Sequence, residues 1–285
     1  MKNLTIIGLF LGVLTAAGAN DANGVFSYKV GRFEIFMIVE SERDGNTGIL
    51  TTEDESVLSR YIPAGGFKHS ANAILIKTPQ QNVLVDTGTG AGGIVVDKIK
   101  NLGVPPEDIT SILITHLHGD HFGSLQKDGK AVFPNAKIYL SKQEFEYFTK
   151  TSAVQAAVLA LAPYGSNVIT FEPQPLEQNL KEILPGISPA AAYGHTPGHT
   201  IFLVQDGIEK FLIIGDLLHI ALVQFPLPEI SAVYDMDANT AAAARRQVLD
   251  YAAKNKIPIG GMHIVYPGMG TVETDGEGFK FTPME

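Results

Sequence analysis

The 285-residue chain contains no cysteine. That absence excludes disulfides and thiolate metal sites, leaving imidazole and carboxylate as the ligands for any transition metal. Basic residues are scarce as well: 21 Lys and Arg stand against 30 Asp and Glu, a formal net charge of -9. A nucleic-acid surface needs clustered cations to meet phosphates, so this balance argues against such a partner. No block of like charge marks a charged tail, and no Pro/Ser tract marks a linker. No apolar run reaches the roughly 20 residues of a membrane-spanning helix, so no stable membrane anchor is expected.

What is present is enough for a folded core: 45% of residues are apolar and only 18% charged. Lys2 is followed by a short apolar run, residues 4–14, and then by Ala17-Gly18-Ala19. A positive start, a short apolar stretch and an A-x-A site are the marks of a cleaved secretory signal. Residues 1–19 are therefore expected to be a signal peptide, with a mature chain 20–285 that is periplasmic or secreted.

Along the mature chain, strand-like and helix-like segments alternate. Residues 25–30, 33–40, 73–76, 83–85, 112–114, 201–204 and 211–214 read as strands, and 94–102, 143–161 and 239–254 as helices. Ala241, Ala244, Val248 and Ala252 make one apolar stripe on the last helix, with Asn239 as its expected cap. Residues 41–66 are polar and Gly-punctuated and read as a long loop. The pattern predicts one α/β domain, with sheets inside and helices outside.

The chemistry concentrates in Thr115-His116-Leu117-His118-Gly119-Asp120-His121, directly after a buried strand. Three imidazoles and a carboxylate in six residues suit a borderline metal such as zinc. In extended chain, residues two apart point the same way, so His116 and His118 can share one ion. Gly119 allows a tight turn, after which Asp120 and His121 can face a second ion. Further candidates lie at strand boundaries: His195 and His199 in Gly194-His195-Thr196-Pro197-Gly198-His199, Asp216 after 211–214, and His263 after 257–259. His69 reads as a solvated loop histidine.

These motifs, in this order, resemble the metallo-β-lactamase-fold superfamily across nearly the whole mature chain. The resemblance implies a four-layer αββα sandwich holding two divalent metal ions, zinc by preference. It implies that His116, His118 and His199 bind the first ion, that Asp120, His121 and His263 bind the second, and that Asp216 bridges both. Asp86, in Asp86-Thr87-Gly88, would orient ligands from behind, with His195 in a similar supporting place.

Departures from neighbouring patterns narrow the branch. Without cysteine, the β-lactamase type that uses a Cys ligand is excluded, and Asp216 argues against the all-histidine type. His118 stands where flavodiiron proteins place a Glu. The stretch from Gly215-Asp216-Leu217-Leu218-His219 to Val223-Gln224-Phe225 is similar to the branch containing methyl parathion hydrolase and secreted lactonases or arylesterases. The resemblance implies a metal-bridged hydroxide attacking the carbonyl of a lactone or aryl ester, with side activity on phosphotriesters. Asp120 is the candidate proton shuttle, and Phe122, His219 and Phe225 are candidate pocket walls. A homodimer is compatible with that branch. The alternatives are a phosphotriesterase as the main activity, or a periplasmic metal-binding protein without catalysis.

Overall fold

Side chains of successive strand residues face opposite ways, so one buried strand can serve two cores at once. The segment Lys68–Lys77 does so: Ile74 and Ile76 enter one apolar cluster and Leu75 another. The computed structural model describes residues 23–52 and 54–285, and the expected signal segment lies outside them.

Strands β1 (Val25–Val30), β2 (Phe33–Asp44), β3 (Lys68–Lys77), β4 (Asn82–Val85), β5 (Ile109–Leu113), β6 (Lys137–Ser141) and β7 (Val168–Phe171) form a seven-stranded sheet in sequence order. Pairing is antiparallel from β1 to β4 and parallel from β4 to β7. A second seven-stranded sheet holds β8 (Gln174–Pro175), β9 (Ile187–Ala191), β10 (Thr200–Asp206), β11 (Glu209–Ile213), β12 (Ile259–Gly260), β13 (Met269–Asp275) and β14 (Gly278–Pro283), again in order.

Ile74, Ile76, Val83, Val85 and Leu113 of the first sheet meet Phe202, Val204, Phe211 and Ile213 of the second, forming the core between the sheets. On the outer face of the first sheet, Leu75, Leu84 and Ile112 pack with Ile99 of helix α1 (Ile94–Asn101). Ala157, Ala160 and Leu161 of the short helix Gln155–Leu161 join the same cluster. Beyond the second sheet, Ile201, Leu203 and Leu212 pack with Val248, Leu249 and Ala252 of helix Ala238–Asn255. The order is helix, sheet, sheet, helix, the expected αββα sandwich. Each fully buried Leu, Ile or Phe contributes about 1.5–3 kcal/mol, so this layering is the main source of stability.

Four local expectations change. The 143–161 segment is not one helix. It runs as Lys142–Glu146, a wider π-type turn Tyr147–Thr151, and Gln155–Leu161 after left-handed Ala153. Thr149, Thr151 and Ser152 are weak helix formers, and the chain breaks beside them. The last helix is capped by Asp237, whose side chain accepts from the Thr240 N–H, and not by Asn239. Within 41–66 the first residues continue β2, because Ser41 to Asp44 pair with β3 past a register shift between Val39 and Ser41. His69 lies on β3 opposite Arg43, with its Nε2 buried, rather than in a solvated loop.

β4 and β5 run parallel in the first sheet, as do β11 and β12 in the second. Asp86, His116, Asp216 and His263 all follow the carboxyl ends of these strands, which brings them to one edge of the sandwich. The remaining part of 41–66 lies beside this edge, with Leu50 and Leu58 packed on Ile220, Val223 and Ile230.

Candidate metal centre

Three groups of donor atoms form at this edge, the third of them His195, His219 and Asp235. Ring nitrogens of His116, His118 and His195 lie within 4.8 Å of one another, and so do donors of Asp120, His121, Asp216 and His263. In the first group His195 Nε2 is 3.2 Å from His116 Nε2 and 3.0 Å from His118 Nδ1. In the second, Asp216 Oδ2 is 2.9 Å from His263 Nε2 and 3.3 Å from His121 Nε2. The same oxygen is 3.5 Å from His195 Nε2 and 3.7 Å from His116 Nε2. Asp216 thus faces the first two groups.

The two histidines of the 194–199 segment exchange the places expected of them. His199 uses both ring nitrogens internally: Nδ1 pairs with the Ala192 carbonyl at 3.0 Å, and Nε2 accepts the Asp216 N–H at 3.0 Å. No lone pair of His199 is left for an ion. Left-handed Gly215 makes the contact feasible, since a Cβ there would come within 2.6 Å of His199 Nε2. His199 is therefore a strut beneath Asp216, and His195 is the inward-facing ring.

The rings of His116, His121, His195 and His263 are each aimed by a partner on the other nitrogen. Asp86 Oδ2 holds His121 Nδ1 at 2.7 Å and accepts from Thr115 Oγ1 at 2.7 Å. Thr115 Oγ1 in turn is 3.1 Å from His116 Nδ1. Asp86 adopts a left-handed backbone, φ 55, and Thr115 N–H fixes its Oδ1 at 2.8 Å. Asp235 Oδ1 holds His195 Nδ1 at 2.8 Å, and the Ser70 carbonyl holds His263 Nδ1 at 2.7 Å. Such outer partners choose the tautomer and raise the basicity of the inward nitrogen.

Sequence reasoning missed three of these supports. Asp235 stands between Tyr234 and Met236 with no motif around it. Arg245, fully buried on the last helix, donates to the carbonyls of Leu217, Pro228 and Ile230 and pairs with Asp235 at 3.3 Å. Its spacing was visible, because position 245 falls four residues after Ala241 on the buried stripe. Glu144, also buried, accepts from Leu117 N–H, Thr196 Oγ1 and Gly198 N–H. Burial pushes its carboxyl up to about 7 against the pull of those hydrogen bonds.

The pocket residues divide. His219 is in the site: its Nε2 is 3.4 Å from Asp216 Oδ2, and its ring stacks on His263 at 5.1 Å and contacts exposed Tyr234 at 5.6 Å. Phe122 packs in the helix-side core with Ile112 and Leu125 and is not a wall. Phe225 stacks on Phe281 at 4.8 Å and lines an apolar recess of about 420 Å³ with Leu222 and Val265, outside the donor groups. His69 joins from behind, its ring 4.8 Å from that of His263.

The donor set fits divalent cations. Burial holds His116 well below the usual imidazole range and pushes His118 and His219 down to about 4, so these rings are neutral with free lone pairs. Burial would raise the Asp216 carboxyl, but His121, His263 and His116 outweigh it and hold it well below the usual carboxylate range. Burial likewise opposes protonation of His121, yet Asp216, Asp86 and Asp120 raise it well above normal. Three carboxylates thus call for positive charge at one spot. His121 Nε2 and Asp216 Oδ1 are buried there without a hydrogen-bond partner, orphan atoms of the kind that ion ligation satisfies.

Residues 66–256 match the model of the metallo-beta-lactamase superfamily, and the chain belongs to that superfamily. Among solved structures, a hydrolase of the beta-lactamase superfamily, AbOPH, is similar over 93% of this chain and 99% of its own, at 26% identity and a TM-score of 0.83. AidC, a dizinc quorum-quenching lactonase in complex with the product N-hexanoyl-L-homoserine, matches 92% of this chain and 98% of its own, at 25% identity and a TM-score of 0.82. An N-acyl homoserine lactonase from Bacillus cereus is 26% identical over 175 residues, covering 53% of this chain and 64% of its own length. The exodeoxyribonuclease WalJ of Streptococcus pneumoniae is 27% identical over 107 residues, 34% of this chain and 39% of its own. The chain thus matches less than two thirds of the length of these curated relatives. Among the described residues, no helix is long and apolar enough to cross a membrane.

Proposed function

We propose that the protein is a dinuclear metal-dependent hydrolase that opens lactones or cleaves aryl esters, with weaker action on phosphotriesters. The observation that carries this reading is the single Asp216 oxygen facing two convergent donor groups at the sheet edge. His116, His118 and His195 would hold one ion, and Asp120, His121 and His263 the other, with Asp216 between. Zinc suits the nitrogen and oxygen donors, and the lactonases among the similar proteins support a cyclic ester as substrate. Bound ions supply Lewis acidity, which acidifies water and polarises a carbonyl oxygen.

The protein's own groups do the rest. Asp86, Asp235 and the Ser70 carbonyl keep the rings aimed, so no reorganisation is needed when charge develops. Asp120 is the most open of the carboxylates, its side chain 37% exposed, and its Oδ2 is 3.5 Å from His263 Nε2. It is the group placed to pass the proton of the attacking water to the leaving alkoxide as the acyl C–O bond breaks. His219, with Nδ1 unpartnered beside the site, is the hydrogen-bonding wall residue that orients the ester oxygen.

The residues before Asn20 would direct the protein to the periplasm or outside the cell, and a homodimer would follow the related branch. The deciding experiment is a turnover screen of an N-acyl homoserine lactone, an aryl ester, a β-lactam and a phosphotriester, before and after chelation and reloading with zinc. We expect the lactone or aryl ester to lead by orders of magnitude, and activity to vanish and return with the metal. A preference for the β-lactam, or turnover that survives complete chelation, refutes the proposal.

A further inference from the structure

We propose that Glu144 is a positioning residue that clamps two histidine loops together and so sets the geometry of the first ion's site. The inference rests on the dinuclear reading above but draws on different atoms. Ser141-Lys142-Gln143-Glu144 has the S-x-x-E spacing of a helix capping box, and the Ser141 Oγ does accept from the Glu144 N–H at 3.1 Å. In a capping box the Glu side chain turns back on its own helix. Here it leaves. Oε1 accepts from the N–H of Leu117, between His116 and His118, at 2.7 Å. Oε2 accepts from Thr196 Oγ1, next to His195, at 2.7 Å and from the Gly198 N–H at 2.9 Å.

One carboxylate therefore spans the two chain segments, nearly 80 residues apart in sequence, that must bring three imidazoles to one point. The grip has a second jaw: Ser141 Oγ donates to the Gly198 carbonyl at 2.7 Å. The approach is so close that a Cβ on Gly198 would collide with Glu144 N and Ser141 Oγ. Glu144 touches neither ion's donor atoms. A neutral amide cannot replace it, because the NH₂ of Gln must face one set of N–H and O–H donors.

The test compares wild type with Glu144→Gln by chelator competition on the zinc-loaded protein and by ¹⁵N-histidine NMR of the metal-free protein. Second-sphere losses of this kind weaken metal binding by about tenfold to a hundredfold. One zinc ion should be released that much more easily while the other is unchanged. The signals of His116, His118 and His195 should move, and those of His121 and His263 should stay. Gly198→Ala, which keeps the carboxylate but forces the loop off it, should move the same three signals and serves if Glu144→Gln does not fold. Equal weakening of both ions, no weakening, or shifts spread over all histidines would overturn the clamp. If wild-type protein holds fewer than two ions, the dinuclear reading fails instead, and the NMR pattern still decides the role of Glu144.

Discussion

Replacing His195 and His199 in turn, each by Ala, separates a ligand from a strut. His199 is fully buried, and its loss strands the Asp216 N–H and the Ala192 carbonyl. Each unsatisfied buried group costs about 1–3 kcal/mol, so the pair costs about 4 kcal/mol before any cavity is counted. For a chain of this size that corresponds to a fall in Tm of about 8–16 °C. His195 instead gives up its Nε2 contacts with the neighbouring rings of His116 and His118, and its Nδ1 bond to Asp235, which keeps its contacts to the Ala232 N–H and Arg245. Metal-free His195→Ala should melt within about 5 °C of wild type, about 1–2 kcal/mol, but should retain one zinc ion where wild type retains two. The assay is thermal unfolding of chelated protein by circular dichroism, with metal content of reloaded protein by atomic emission. A metal-free His199→Ala that melts like wild type yet loses an ion, beside a His195→Ala that keeps both, would refute the exchange of roles.

Other outcomes follow from the supports and the walls. Arg245→Met leaves Asp235 charged, buried and short of its cation, with the Leu217 and Pro228 carbonyls unanswered while Ile230 keeps Gln224, and should cost about 3–5 kcal/mol in urea unfolding; a loss under about 1 kcal/mol would contradict the burial argument. His219→Leu should lower ester turnover and raise the ratio of phosphotriester to ester activity, because it removes a polar contact and widens the apolar surface; equal losses on both substrates would place His219 in metal support. N-terminal sequencing of the native protein should begin at Asn20, and an intact Met1 would count against export.

The layers were legible because period-two alternation and helical stripes report burial directly: Ile74, Leu75 and Ile76 already announce a strand buried on both faces. The centre was legible because six of its donors sit in compact motifs at strand ends. What failed was local choice between equivalents. Nothing in Gly194 to His199 says which imidazole faces inward, because that depends on an N–H at Asp216 and a carbonyl at Ala192, both set by tertiary approach. Likewise the pairing of Ser41 to Asp44 with β3 overrides a polar, loop-like composition, and the outward swing of Glu144 overrides its local capping signal. Phe122 and Phe225 looked like walls from their proximity to ligands, but neighbouring positions point to opposite sides.

The donors come from both sheets: His116, His118 and His121 follow β5, while Asp216 and His263 follow β11 and β12. Each of the two groups thus straddles the apolar layer in which Val85 and Leu113 meet Phe202 and Ile213, and its span is set there. That layer acts as a ruler. Interiors are close-packed and resist compression, so a single methylene added or removed there shifts one sheet against the other. The chemistry can then be tuned from the middle of the molecule, by residues that never meet a substrate.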